Sequence, residues 1–483
     1  MKEIKVLSVT SEIYPLIKTG GLADVAGALP AALASEGVRM RSLVPGYPAV
    51  ISALTTATSI VRFADLFGGP ARLLAGKSGD LDILALDAPH LYNRPGNPYL
   101  QRDGTDWPDN AQRFAALSFV AGWLGQGQVG RWRPDIVHAH DWQAALAPLY
   151  MKFGEKAHAK SVLTVHNLAF QGRFAAGLMQ ELQIPPSAFT VQGVEYYGDI
   201  SFLKGGLQSA DHITTVSPTY ATEILSPAMG MGLDGVLNQR ARDLSGILNG
   251  LDGVAWDTAT DPYLPVRYKS NAVQNARRRN RQALQERLGL RPDPDAMVLG
   301  VISRLSEQKG LDLLLEILPQ LLAENIQLAL LGAGDAILQQ GFARAAAAYP
   351  SAIGCAFNYD EPLAHLIQGG ADAFLVPSRF EPCGLTQLAA LRYGAVPIVS
   401  RVGGLADTII DANPVALAAG VATGIQFGPT EAAPLMAAIR RAVTLWRDPK
   451  IWRKIQANGM ATDVSWKRSA HLYAKLYADL INN

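Results

Sequence analysis

Short apolar runs alternate with helix-like segments along the whole 483-residue chain, and they do so in two separate series. Such alternation calls for parallel α/β layers, in which a helix crosses back over the sheet between successive strands. The first series places strands at 4–10, 39–44, 81–86, 135–138, 161–165 and 212–216, with helices such as 22–34 and 110–124 between them. Around Ile247-Leu-Asn-Gly-Leu-Asp252 the pattern relaxes into a stretch with proline and aspartate, reaching to about Tyr268. A second series follows, at 297–303, 326–332, 352–357, 373–377, 396–400 and 424–427. The tail 465–481 reads as an amphipathic helix, with Trp466, Leu472, Tyr473, Leu476 and Leu480 on one face. The expected domains are 1–247, joined by a C-terminal helix within 462–483, and 248–461. Each is expected to be a doubly wound, Rossmann-like sheet with its ligand crevice beyond the carboxyl ends of the strands. Two such halves facing each other would make a deep inter-domain cleft.

Lysine and arginine total 43 against 42 aspartates and glutamates, a net charge of +1, which argues against a general nucleic-acid or membrane-surface binder. Two cysteines, Cys355 and Cys383, in a chain too large to need stapling read as reduced thiols. The N-terminus enters a strand pattern at once, without an apolar signal segment. The charge-poor stretch 42–61 carries Pro45, Gly46 and Pro48 and is rejected as a membrane span. A cytoplasmic protein is expected.

The first strand leads into Ser11-Glu-Ile-Tyr-Pro-Leu-Ile-Lys18-Thr-Gly20-Gly21, and a helix opens at Leu22. Paired glycines let a backbone approach a ligand closely, and the exposed N–H groups of a helix start favour an anion. Lys18 adds a mobile positive charge. A tight turn with a solvent-facing lysine is the plainer alternative. The run Thr19-Gly-Gly-Leu-Ala-Asp24 returns in the second half as Val402-Gly-Gly-Leu-Ala-Asp407, again after a strand and a cation, Arg401.

In the second half Val301-Ile-Ser-Arg304-Leu-Ser-Glu-Gln-Lys309-Gly310 sets two cations just past a strand, a pairing that suits a diphosphate leaving group. The run Pro377-Ser-Arg-Phe-Glu381-Pro-Cys383-Gly384-Leu385-Thr386-Gln387 ends another strand and starts a helix near Gly384. Helix N–H groups there could meet an anion, and Glu381 could touch sugar hydroxyls or a developing positive charge. A simple capping acid is the alternative. Two patterns resemble metal sites. His138-Ala-His140-Asp141 imitates the strand-end pair of metal-dependent hydrolases, and Asp293-Pro-Asp295 imitates a metal-binding Asp-x-Asp but precedes a strand in a proline-rich turn.

Taken together these runs resemble the bacterial glycogen synthases and the related plant starch synthases. The resemblance extends from Ser11-Glu through Lys18-Thr-Gly-Gly-Leu-Ala-Asp24, His138-Ala-His-Asp-Trp142 and His166-Asn167 to Arg304, Lys309 and Glu381-Pro-Cys-Gly-Leu-Thr386. It implies a GT-B glycosyltransferase, with two Rossmann-like domains and a C-terminal helix returning to the first. It also implies a metal-independent transfer, with retention, of glucose from ADP-glucose to the non-reducing 4-OH of an α-1,4-glucan. The donor follows from Lys-Thr-Gly-Gly-Leu, which resembles the bacterial and plant branch. On this resemblance Arg304 and Lys309 neutralise the departing diphosphate with the N–H groups near Leu385 and Thr386. Lys18, Gly20 and Gly21 contact the donor, with Asp24 nearby, and Glu381 holds donor hydroxyls within the Cys383-Gly384 turn. His166 sits beside the anomeric carbon, supported by Asn167. Tyr359 stacks on the base, and Tyr99, Asp141 and Trp142 line the acceptor side. Position 389 is Ala, where the wider retaining superfamily often carries a second Glu. No cofactor, metal, nucleic acid or membrane partner is expected.

Three rival readings stand beside this one. An NAD-dependent oxidoreductase lacks its Gly-x-Gly-x-x-Gly in the first turn. The others are a metal hydrolase built on His138 and His140, and a non-catalytic glucan-binding protein.

Overall fold

A computed structural model describes residues 3–127, 132–154, 156, 159–270, 272–358 and 360–482. The chain divides into two compact units, Met1–Gly250 with Trp466–Asn483, and Leu251–Ser465.

In the first unit the main sheet runs in the order Leu244–Gly246, His212–Thr215, Lys160–Val165, Ile136–His140, Ile4–Val9, Val38–Pro45, Leu81–Asp87, Ala71–Ser78, Thr55–Phe63. The pairs are parallel as far as Leu81–Asp87. Ile136–His140 is buried along its whole length and Lys160–Val165 almost so, as strands covered on both faces must be. Chain order reverses at Ile4–Val9, which pairs with Val38–Pro45 on one side and Ile136–His140 on the other. The loops after Val9 and His140 therefore flank a topological switch point, where such sheets bind ligands.

The expectation of parallel layers needs one correction here. Ala71–Ser78 and Thr55–Phe63 add an antiparallel edge, and neither is among the strands expected from the sequence. Thr55–Phe63 is exposed over nearly all its length and its register shifts twice, so it offers no apolar alternation to read. A separate small antiparallel sheet joins Arg173–Ala175, Asp199–Ser201 and Glu195–Tyr196.

Helix Gly21–Ala34 and the C-terminal helix Lys467–Asn482 share an apolar cluster of the first unit. Val25, Leu29 and Leu33 come from the first, Tyr473 and Tyr477 from the second. The Tyr477 hydroxyl reaches the sheet itself, 2.7 Å from Nδ1 of His138.

The second unit is built on an all-parallel sheet in the order Ile353–Ala356, Ile326–Leu331, Met297–Ile302, Ala373–Val376, Val396–Ser400, Ile425–Phe427. Its switch point lies between Met297–Ile302 and Ala373–Val376. The following loops, 303–310 and 377–385, are the two runs singled out for chemistry. Segment 251–268 belongs to this unit. Trp256 stacks on the His365 ring at 4.1 Å, and Asp261 accepts from His365 at 2.8 Å and from Tyr393 at 2.5 Å. No helix among the described residues is long and apolar enough to cross a membrane.

Candidate active site

Past the strand Met297–Ile302 the chain makes a single 3-10 turn, Glu307–Lys309, closed by Gly310 at φ +64°. A side chain at Gly310 would run into the carbonyl of Pro377, so only glycine lets the two switch-point loops lie this close. They are also laced together by hydrogen bonds. Arg379 grips Asp312 with two at 2.7 and 2.6 Å, and its N–H donates to the Gln308 carbonyl at 2.9 Å.

This lacing puts the Lys309 ammonium 2.6 Å from Oε2 of Glu381, which also accepts from the Ser378 hydroxyl at 2.8 Å. Glu381 is buried. Its main chain is held from behind, since Gly404 N–H donates to the carbonyls of Glu381 and Pro382 at 3.0 and 3.1 Å. Side chains at Gly403 or Gly404 would collide with the carbonyls of Glu381 or Cys383. The second Gly-Gly pair is thus a backing for the Glu381 loop. Gly384 turns at φ +72°, and helix Thr386–Tyr393 starts with no side-chain cap, its first N–H groups near Leu385 and Thr386. Gln387 pins this start, donating to the carbonyls of Cys383 and Gly384 at 3.0 and 3.1 Å. Cys383 is buried and forms no disulfide among the described residues, and Arg304 is exposed just past its strand. Tyr359 lies outside the described residues.

In the first unit, Lys18, Gly20 and Gly21 are exposed at the head of helix Gly21–Ala34. Lys18 is paired with Asp24 at 2.8 Å. A side chain at Gly20 would meet nothing within 4 Å, so the first Gly-Gly pair borders open space where the second is packed. The turn is held from within by Glu12, a residue given no role from the sequence. The Glu12 carboxylate accepts from the Thr19 hydroxyl at 2.6 Å, the Thr19 and Gly20 N–H groups, and the Tyr99 hydroxyl at 2.5 Å. A glutamate just past a strand end, in the loop leading to the glycine pair, was the available signal. Tyr99 therefore points its hydroxyl at Glu12 and Ser11, and its ring packs 5.8 Å from that of Phe114.

Across the switch point, Asp141 begins the turn after Ile136–His140 at φ +56°. Its Oδ1 accepts the N–H groups of His166 at 2.7 Å and Asn167 at 3.4 Å, which joins two strand-end loops. Burial pushes its carboxyl up to about 7, against the pull of those same N–H groups. Trp142 packs edge-on against Phe114 at 5.0 Å, within an aromatic group that includes Phe174 and Phe202.

His138, the first histidine of the suspected metal pair, holds the Thr164 hydroxyl at 2.6 Å and the Tyr477 hydroxyl at 2.7 Å. His140 holds His166 through Nδ1 to Nε2 at 3.0 Å. Burial lowers His138 and His166 to about 3, and drives His140 well down with added repulsion from its neighbours. Among the described residues no group of three or more His, Cys, Asp or Glu is arranged to hold a metal ion. Asp293 of the Asp-x-Asp pattern pairs with Arg291 at 2.8 Å.

Comparison with known proteins decides the family. Over 481 residues the chain is 60% identical to the glycogen synthase of Rhodopseudomonas palustris strain BisB18, covering all of this chain and 98% of that one. The chain belongs to the glycogen synthase family. Another member, the glycogen synthase of Acidiphilium cryptum, is 58% identical over 477 residues, 99% of each chain. Residues 5–239 match the family described as starch synthase catalytic domain, and residues 284–458 match glycosyl transferases group 1. Among solved structures, the catalytic domain of Arabidopsis thaliana starch synthase IV, bound to ADP and acarbose, is similar along both full chains. Its TM-score is 0.89 at 28% identity. As a member of the glycogen synthase family the chain is a hexosyltransferase of the GT-B fold. The oxidoreductase, hydrolase and binding-protein readings fall away.

Proposed function

We propose that this enzyme transfers glucose from ADP-glucose to the non-reducing 4-OH of an α-1,4-glucan, with retention at the anomeric carbon and release of ADP. The observation that carries the reading is the Lys309–Glu381 pair beside an uncapped helix start at the switch point of the second unit. Breaking the bond from C1 to the diphosphate separates charge, negative on the leaving group and positive on the sugar. A site with cations and helix N–H groups on one hand and a carboxylate on the other stabilises both. The ADP in the related starch synthase structure supports the choice of nucleotide.

Lys309 carries three N–H donors, so its bond to Glu381 leaves others for a phosphate oxygen. Arg304 adds a second cation, with the N–H groups near Leu385 and Thr386. Glu381 offers its remaining oxygen to a donor hydroxyl. From the first unit, Lys18 and the open Gly20-Gly21 turn meet the donor, with Asp24 as the lysine's counter-charge. His166, neutral at physiological pH, faces the anomeric carbon as a hydrogen-bonding group. Asn167 supports it, and Tyr99, Asp141 and Trp142 shape the acceptor side. The bond from C1 to the diphosphate breaks, a bond from C1 to the acceptor O4 forms on the same face, and the acceptor proton leaves on a departing phosphate oxygen. No metal takes part. The setting is the cytoplasm, consistent with two cysteines that form no disulfide among the described residues.

The test is glucose incorporation into glycogen by chelator-treated enzyme, with ADP-glucose and UDP-glucose side by side. Rapid transfer from ADP-glucose alone is expected. A preference for UDP-glucose overturns the donor, and a requirement for added metal overturns the metal-free mechanism.

A further inference from the structure

Four donors converge on one buried carboxylate in the first unit. Oε1 of Glu12 accepts the Tyr99 hydroxyl at 2.5 Å and the Thr19 hydroxyl at 2.6 Å, while Oε2 accepts the N–H groups of Thr19 and, at 3.3 Å, Gly20. A carboxylate is the side chain that accepts at both ends without bringing a hydrogen of its own. Glu12 is only 3% exposed, so its carboxylate depends on these donors for its hydrogen bonds.

The partners belong to two separate segments. Thr19 and Gly20 form the turn that carries Lys18. Tyr99 sits in a segment fixed from several sides: Asn97 accepts its N–H at 2.8 Å, Asn110 donates to its carbonyl at 3.0 Å, and buried Arg113 donates to the Pro98 carbonyl at 2.7 Å. Glu12 is the joint between them. Its charge also rules out a direct role in holding a phosphate, because two anions would share the same N–H groups. With Thr19 and Gly20 so engaged, the amides left for a donor anion begin at Gly21.

We propose that Glu12 is the positioning residue of the Lys18–Gly21 turn, and that through it Tyr99 governs the binding of the sugar-nucleotide donor as well as the acceptor side. This rests on the reading of that turn as donor-binding. Removing the carboxylate frees the turn at its base and leaves the Tyr99 segment in place. An amide in the same position largely restores the joint. Its oxygen takes the two backbone N–H groups, and the Tyr99 and Thr19 hydroxyls turn round to accept from its nitrogen.

The test measures initial rates with ADP-glucose and maltoheptaose varied in turn, for Glu12→Ala, Glu12→Gln, Tyr99→Phe and Lys18→Ala. Hydrogen exchange is followed over residues 13–21. Glu12→Ala is expected to lower kcat/KM for the donor about tenfold or more, the scale of a lost charge-assisted hydrogen bond, with acceptor KM unmoved. Exchange at 13–21 should rise in step. Glu12→Gln should recover most of the rate and the protection, and Tyr99→Phe should lower donor kcat/KM in the same direction as Glu12→Ala. An effect of Glu12→Ala or Tyr99→Phe confined to acceptor KM overturns the proposal, as does a Glu12→Gln enzyme as poor as Glu12→Ala. Should Glu12→Ala melt the whole unit, Tyr99→Phe decides, and unchanged donor kcat/KM there refutes the joint. If Lys18→Ala leaves donor kcat/KM unchanged, the donor reading of the turn itself has failed.

Discussion

Lys309 and Glu381, 72 positions apart in sequence, form an ion pair of 2.6 Å at the point where the second sheet reverses its strand order. Both side chains are largely shielded from water, at 18% and 9% exposure. The pair therefore has a structural cost and a chemical use that can be separated.

Lys309→Met leaves the Glu381 carboxylate buried without its cation, and is expected to destabilise the second unit by about 3 kcal/mol. Adding Glu381→Gln should recover much of that loss, since the uncompensated charge is gone. Activity should stay at least about a hundredfold down in both variants if the pair also serves the reaction. Urea melts with initial rates check this. A double variant that regains activity along with stability would reduce the pair to a structural one.

The two Gly-Gly-Leu-Ala-Asp runs invite the same substitution with opposite results. Gly403→Ala pushes a methyl group into the Glu381 carbonyl, at a backbone φ of +41°, and shifts the Glu381 loop. A loss of roughly 1–3 kcal/mol is expected, as for overpacking elsewhere, together with most activity. Gly20→Ala meets nothing within 4 Å, so the melting temperature should hold. Equal melting temperatures for the two variants would contradict this contrast.

Asp141 holds two neighbouring loops through one oxygen while sitting at φ +56°. Asparagine keeps an acceptor oxygen and tolerates this backbone region, whereas alanine does neither. Asp141→Asn should fold and be at least as stable as the parent at pH 8, where the carboxyl that burial raises to about 7 is ionised, and Asp141→Ala should lose roughly 1–3 kcal/mol relative to Asp141→Asn. Thermal melts at fixed pH distinguish them.

The two units should respond to pH in opposite directions. His138 and His166 are lowered from 6.5 to about 3, so the unfolded chain binds more protons between those values. Stability of the first unit should therefore fall as the pH drops from 6.5 toward 3. His365 is raised to about 8: burial opposes its charge, but bonds and attraction from Asp261 and Glu361 outweigh it. Its contribution to the second unit is complete below 6.5 and is lost as the pH rises through 8. Asp261→Asn should flatten that alkaline slope and leave the acid limb unchanged. Denaturant midpoints from pH 4 to 9 measure both.

The alternation of apolar runs made the parallel strands legible, because a strand buried on both faces is apolar along its length. The loops after Val9, Ile302 and Val376 could be found as well, since glycines and cations past a strand end mark them. Thr55–Phe63 was not legible, being polar, exposed and set by pairing with Ala71–Ser78 alone. Nor were the contacts that give the candidate site its shape. Lys309 meets Glu381 across 72 positions and Glu12 meets Tyr99 across 87, and no local period records such a meeting. The second Gly-Gly run repeats the first in sequence, again after a strand and a cation. Its tight packing on the Glu381 loop depends on a strand crossover that sequence spacing does not disclose.

His138 bonds to Tyr477, 339 positions later, with the entire second unit lying between them in the chain. During synthesis the sheet of residues 4–246 thus emerges with Nδ1 of its central histidine short of its partner and one apolar face uncovered. The second unit can close as soon as Ser465 has left the ribosome, while the unit begun first must wait for the last helix. First made is last finished, and the apolar face that the last helix covers stays open in the interval between.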